Sequence, residues 1–222
     1  MKLLSLALCL LIASTLFAQR IAFTKENIEG NLVNFSFEKS MGDGVIRVVK
    51  DSAITTFDLP TFVKIKNLEF KNGTIEIDVR SSILPNAPES ARGFIGVAFR
   101  ITPDNSHFES IYLRPANARV MNQVRRNHSI QYFSFPDYKF DRLRKEFPEE
   151  YESYADMELD KWIRLKIIVH DTHAKLFING QDQPSLIVND LKLGADVIGG
   201  IGLWVEFGTE GFFRNLRITK SE

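Results

Sequence analysis

Cysteine is nearly absent from this sequence of 222 residues: the only one is Cys9, inside the apolar run Leu3 to Phe17. If that run is a leader, the remaining chain has no disulfide, no thiol nucleophile and no cysteine-ligated metal. A core alone must then hold the fold, which a chain of this length allows. An excess of one charge is also lacking. Lys+Arg and Asp+Glu both number 28, and setting aside Lys2 leaves 27 against 28. Such a balance excludes the electrostatic footprint of a nucleic-acid binder, and Arg125-Arg126 is too short a basic run to supply one. No His-Glu helical metal motif, phosphate loop or nucleophile elbow occurs. His170 and His173 are three apart, but on a strand and turn they diverge, so no metal ligand is assigned. Neither a repeat nor a Pro/Gly/Ser linker divides the chain.

Met1 to Ala18 has the build of a secretory signal. Lys2 gives a positive start, Leu3 to Phe17 an apolar stretch short of the roughly 20 residues of a membrane span, and Ala18 a small residue before Gln19. Leu8 is too large for lipoprotein processing at Cys9. The expectation is a leader over 1–18, one domain over 19–222, a secreted or periplasmic location and no membrane insertion of the mature chain.

The rest of the sequence alternates with period two in short runs broken by turn residues, the pattern of an all-β sandwich or barrel. Ile75, Ile77 and Val79 share one face of their run, and Glu76, Asp78 and Arg80 the other. The same reading puts Ile95, Val97, Phe99 and Ile101 inward, and Phe94, Gly96, Ala98 and Arg100 outward. Ile111 and Leu113 point in, while Phe108, Ser110, Tyr112 and Arg114 form the opposite set. Ile163, Leu165, Ile167 and Val169 are inward. So are Ile201, Leu203, Val205 and Phe207, with Gly202, Trp204 and Glu206 opposite. Asn179-Gly180 is a strong turn signal. The eighteen Phe residues suit a sheet-on-sheet core. One segment, Pro136 to Asp160, departs from the pattern. Phe140, Leu143 and Phe147 make a short helical stripe stopped by Pro148, so a partly helical insertion is expected over 136–160.

The run Trp162-Ile-Arg-Leu-Lys-Ile-Ile-Val, followed by Ala174-Lys-Leu-Phe-Ile-Asn-Gly180, resembles the central hairpin of concanavalin A-like and laminin G-like domains. Gly200-Ile-Gly-Leu-Trp204 and Gly211-Phe-Phe-Arg-Asn-Leu-Arg-Ile218 are similar to the closing strands of that superfamily, in particular those of the 3-keto-disaccharide hydrolases. The resemblance spans roughly Gly73 to Thr219. It implies an antiparallel two-sheet jelly roll with a sugar site on its concave sheet or rim loops. It also implies a carbohydrate partner and either a glycoside hydrolase or a non-catalytic glycan- or protein-binding module.

Glu76-Ile-Asp78 begins an acid motif of family 16 glycoside hydrolases, but Ser81 replaces its third acid, so a solvated strand face is the preferred reading. The outward set is the better constellation. Arg100, Tyr112, Arg114 and Trp204, with Asn117 and Tyr132 on the following loop and strand, are the candidate substrate-binding residues. Aromatic rings stack on sugar faces, and arginines hydrogen-bond hydroxyls or carboxylates. Glu206 is the candidate general acid or base. The alternative is that Arg100 or Arg114 pairs with Glu109 or Glu206 and merely covers the sheet. Glu109 itself falls on the inward face, so it is either a buried acid with a partner or displaced by a bulge. Tyr138, Tyr151 and Tyr154 wall a groove or anchor the insertion. No cofactor is implied. Loop acids could serve calcium, as in related domains, but no spacing demands it.

Overall fold

The computed structural model describes residues 18–39, 44–57 and 59–221. The leader expected over Met1 to Ala18 therefore lies, apart from Ala18, outside the described residues. In chain order the elements are β1 (Gln19–Arg20), β2 (Ile28–Asn31), β3 (Val33–Phe37), β4 (Ile46–Lys50), β5 (Phe62–Ile65), β6 (Asn72–Ile83), β7 (Ile95–Ile101), β8 (Phe108–Leu113), α1 (Gln123–Asn127), β9 (Ile130–Phe135), α2 (Phe140–Glu146), β10 (Glu152–Ser153), β11 (Ile163–His170), β12 (His173–Ile178), β13 (Leu186–Val188), β14 (Gly200–Val205) and β15 (Thr209–Ser221).

The strands form two antiparallel sheets. One is eight-stranded, ordered β13-β12-β11-β6-β15-β4-β3 with β1 added beside β15; the other is seven-stranded, ordered β10-β9-β8-β7-β14-β5-β2. The alternation read from sequence sets which residues meet between them. Ile75, Ile77 and Val79 of β6 and Ile95, Val97 and Phe99 of β7 are all buried in the one core the two sheets share. Each such side chain contributes about 1.5–3 kcal/mol on burial. Asn179 and Gly180 both take positive φ, 52° and 77°, as a tight turn requires. The expected insertion is present. α2 ends at Phe147 before Pro148, and Leu143 is buried beneath it.

An internal cage ties the insertion to the sandwich. Lys192 Nζ sits 4.3 Å from the Phe147 ring centroid, 4.8 Å from that of Tyr151 and 5.2 Å from that of Tyr138. The Tyr151 hydroxyl donates to Asp190 at 2.7 Å. The tyrosines Tyr138 and Tyr151 thus anchor the insertion, while Tyr154 is exposed and receives a hydrogen bond from Arg126.

Arg100, Ile101 and Phe207 sit differently from the alternation, Ile101 being turned to the outer face beside Gly202, and Asp78 keeps its face but not its expected exposure. Arg100, expected outward, is fully buried at φ 53°. Gly200 pairs with Ile101 and Ile201 with Phe99, so Arg100 is the unopposed residue of a bulge. One extra residue swings its side chain off the outer face and into the sandwich end. Phe207, expected in the core, is half-buried on the outer side because β14 stops at Val205 and the chain turns at Gly208, φ 67°. Asp78, expected on a solvated face, is buried on the outside of the eight-stranded sheet. Arg164 donates to it at 2.9 Å and Asn215 at 2.8 Å, with Arg214 3.4 Å away. Burial works against its charge, but the Arg164 and Asn215 hydrogen bonds carry the carboxyl below its usual range.

Candidate functional site

The outer face of the seven-stranded sheet has a floor of small residues and a layer of rings above it. Gly96 pairs with Trp204 on one side and Tyr112 on the other, and those two rings meet at 4.9 Å. A Cβ at Gly96 would lie 2.5 Å from Tyr112 Cα, so glycine is required by the close approach. Ala98 lies likewise between Gly202 and Ser110. Phe133 contacts both Tyr112 and Trp204, and Phe108 continues the layer to Phe62 and Phe135. Toward the other end Phe94 packs on Tyr112 and on Phe207, and Phe207 on Phe57. Phe57 keeps 53% of its surface exposed.

Beside this second end is a cavity of ≈ 570 Å³, in the size range of small-molecule sites. Rings form one wall: Phe57, Phe94, Phe207, Tyr112 and Trp204, with Phe140 from α2. Arginines form the other: Arg92, Arg114, Arg125 and Arg144, with His128 and Asn117 between them. Two carboxylates, Glu206 and Asp141, also reach the lining.

A single buried acid holds two of the four arginines, Arg114 and Arg144. Glu152 of β10 accepts from Arg114 Nη1 at 2.9 Å and from Arg144 at 2.6 and 2.8 Å, and lies 3.4 Å from His128 Nε2. Burial opposes its charge, yet the Arg144 hydrogen bonds and the Arg114 charge hold the carboxyl below its ordinary range. Burial, aided by Arg144 and Arg114, pushes the His128 imidazole below its usual value of 6.5 against the pull of Glu152. Arg114 also donates to Tyr112 and Gln131. Gln131 belongs to the outer face of β9, opposite Tyr112.

Glu206 is buried at the cavity edge. Its Oε1 accepts from Lys50 Nζ at 2.5 Å and from the Phe207 backbone N–H at 2.7 Å. Lys50 comes from β4 of the opposite sheet, so this ion pair closes the sandwich at the same end as the cavity.

The structure brings Tyr112, Arg114, Asn117, Trp204 and Glu206 to one cavity. Asn117 uses its side chain to hold the loop, donating to His128 O at 3.2 Å and accepting from Arg125. Arg100 and Tyr132 are elsewhere. Arg100 donates to the carbonyls of Lys71, Gly194 and Asp171 at 3.0, 2.7 and 2.7 Å. Tyr132 is opposite Ile111 on β8, hence on the inner face, where its hydroxyl donates to Glu109 at 2.5 Å and accepts from Lys192 N–H at 2.8 Å. Glu109 is thus a buried acid with partners. Burial pushes its carboxyl up, against the Tyr132 and Leu193 hydrogen bonds and the Arg100 charge. Arg92, Phe57 and Arg144 are lining residues that alternation does not reach, since all three lie outside the strands. Only the loop rich in Asn and Arg up to His128 carried a local signal. Among the described residues no cluster of three or more His, Cys, Asp or Glu could hold a metal ion. No helix among them is long and apolar enough to cross a membrane.

No family model matches the chain, and no curated protein matches it. Solved structures do. The carbohydrate-binding module CBM66 of Bacillus subtilis superposes with TM-score 0.59 at 13% identity, covering 87% of this chain and 96% of that one. A candidate glycosyl hydrolase of Parabacteroides distasonis gives 0.54 at 14% identity over 88% and 94%. A galectin-like-fold protein of Bacillus subtilis gives 0.52 at 12% over 92% and 98%. The likeness shows the fold, an antiparallel two-sheet jelly roll, as the resemblance to concanavalin A-like domains implies. The closer likeness to 3-keto-disaccharide hydrolases rests on the sequence motifs alone.

Proposed function

We propose that this chain is a secreted carbohydrate-binding protein that seats a glycan in the cavity between the ring wall and the arginine wall. The observation that carries this reading is the convergence of six rings and four arginines on one cavity of ≈ 570 Å³. Aromatic faces stack on the C–H faces of sugars, and guanidinium groups fix ring substituents. Two of the structural neighbours, a carbohydrate-binding module and a candidate glycosyl hydrolase, support it.

Hydrolysis is the second reading, favoured by the presence of both Glu206 and Asp141 in the lining. It asks one carboxyl to deliver a proton. Glu206 Oε1 is instead an acceptor held by Lys50 and Phe207 N–H, which suits a fixed structural charge better than a proton donor. Binding is accordingly the principal reading.

The test is calorimetry of purified protein against a broad glycan panel that includes oxidised disaccharides, with chromatography of the mixtures for products. One member is expected to bind and to be recovered intact. Phe57→Ala should weaken that binding roughly tenfold, as loss of one stacking ring does. Because Phe57 is exposed, the variant should change stability by no more than about 0.5 kcal/mol. Recovery of cleaved product, abolished by Glu206→Gln, would replace binding by hydrolysis.

A further inference from the structure

The cavity cations fall into two groups. Arg114 and Arg144 are committed to Glu152, and Lys50 to Glu206. Arg92 and Arg125 form no ion pair among the described residues. Arg92 Nη1 donates to the carbonyls of Glu89 and Ala91, at 2.5 and 2.7 Å. Arg125 Nη2 donates to Asn117 Oδ1, at 3.4 Å. Counting the ion partners Lys50 and Glu152, the site holds five cations, Lys50, Arg92, Arg114, Arg125 and Arg144, against three carboxylates, Glu152, Glu206 and Asp141, with Glu89, outside the lining, also acting on Arg92. Asp141 is an exposed residue in the first turn of α2 and has no ion pair with either arginine. Positive charge is thus in surplus in a cavity with an apolar wall.

Hydrogen-bonding capacity is lopsided in the same sense. Trp204 lines the cavity and is buried, and its Nε1–H has no acceptor among the described residues. Gln131 Nε2, behind Arg114 and outside the lining, is a second buried donor without one among the described residues. A neutral sugar offers donors and acceptors together, whereas a carboxylate or sulfate offers acceptors only. A site with spare donors and few spare acceptors matches the second.

We propose that the ligand is an acidic glycan whose anionic group is taken by Arg92 and Arg125 while its sugar ring lies on Phe57, Phe94 and Phe207. This rests on the glycan-binding reading above and adds the charge of the ligand. Burial, with the neighbouring Arg125 and Arg114 charges, lowers the pKa of Arg92 against the pull of Glu89; a further anion placed beside it would offset the repulsion between the arginines.

The experiment titrates the protein by calorimetry with uronate oligosaccharides of several backbones, each paired with its methyl ester, and with a sulfated galactan oligosaccharide. A uronate is expected to bind about ten- to hundredfold more tightly than its ester, the worth of charge-assisted hydrogen bonds. Arg125→Ala, at an exposed position, should lower affinity for the acid about tenfold more than affinity for the ester, so that most of that preference is lost. Tight sulfated-galactan binding with the same loss in Arg125→Ala would also support the proposal and identify sulfate as the group. Equal binding of acid and ester, unaffected by Arg125→Ala, overturns the acidic ligand but leaves glycan binding standing. Absence of binding by every acid, ester and neutral glycan overturns both.

Discussion

Arg100→Met is expected to destabilise the protein by about 3–5 kcal/mol, the cost of removing a buried cation that several acceptors surround. Affinity for any glycan that binds the native chain should stay within about twofold, a change too small to reflect a lost charged contact. The guanidinium bridges the two sheets. It ties β7 of one to the carbonyls of Lys71 and Asp171 and to Asn72 Oδ1 at the edge of the other, and to Gly194 on the loop after β13. Methionine fills part of the volume but donates nothing, so these carbonyls lose their partner where water has little access. Glu109 supplies a second signature. Its carboxyl is raised by burial, and Arg100 is among the groups that hold it down. A raised acid lowers stability as pH rises through its folded value, because the folded state then has to ionise it. Without Arg100 that value climbs further. The stability lost at pH 7 should therefore be partly recovered on acidification toward the ordinary carboxyl range. Urea melts of both proteins at pH 7 and pH 5 measure this. Weakened glycan binding in a variant of native stability would return Arg100 to the binding face.

This residue also marks where sequence reasoning stops. The alternation that placed Ile95, Val97 and Phe99 inward was sound because a paired strand has period two. Position 100 breaks it because a bulge adds one residue, and Arg-Ile-Thr carries no local signal of a bulge such as glycine. Tyr132 is a different case. Its strand was not phased in sequence, and only the pairing with Ile111 shows that Tyr132 is inward and Gln131 outward. Tyr112, Arg114 and Trp204 were legible as an outward set because strong core residues flank each of them. The arginine wall was not, since it depends on α1, α2 and β10 folding back over the sheet edge. Nothing local in Arg-Leu-Arg144 or Tyr-Glu152 announces that these residues will meet Arg114.

Glu152→Gln is expected to have two effects of opposite sign. Stability should fall by about 3 kcal/mol, since the amide leaves the buried Arg114 and the half-buried Arg144 without their shared carboxylate. The loss should depend on pH in a defined direction. In the native protein the Glu152 carboxyl is held below its ordinary value of 4.5. Its contribution is therefore complete above that value and disappears as pH falls through the lower folded value. The gap between native and variant should be widest near neutrality and should close only below about pH 4.5. Affinity for an acidic glycan should move the other way. Removing one of three carboxylates from a site with five cations frees Arg114 and Arg144 toward the cavity and raises its positive charge. Uronate binding should thus strengthen severalfold in the folded variant at low salt, and the gain should shrink as added salt screens it. If Glu152 merely orders the wall, the variant would lose affinity for acid and ester alike, because disordered arginines cannot hold either. The comparison of acid with ester therefore separates a carboxylate that tunes the charge of the site from one that only builds it.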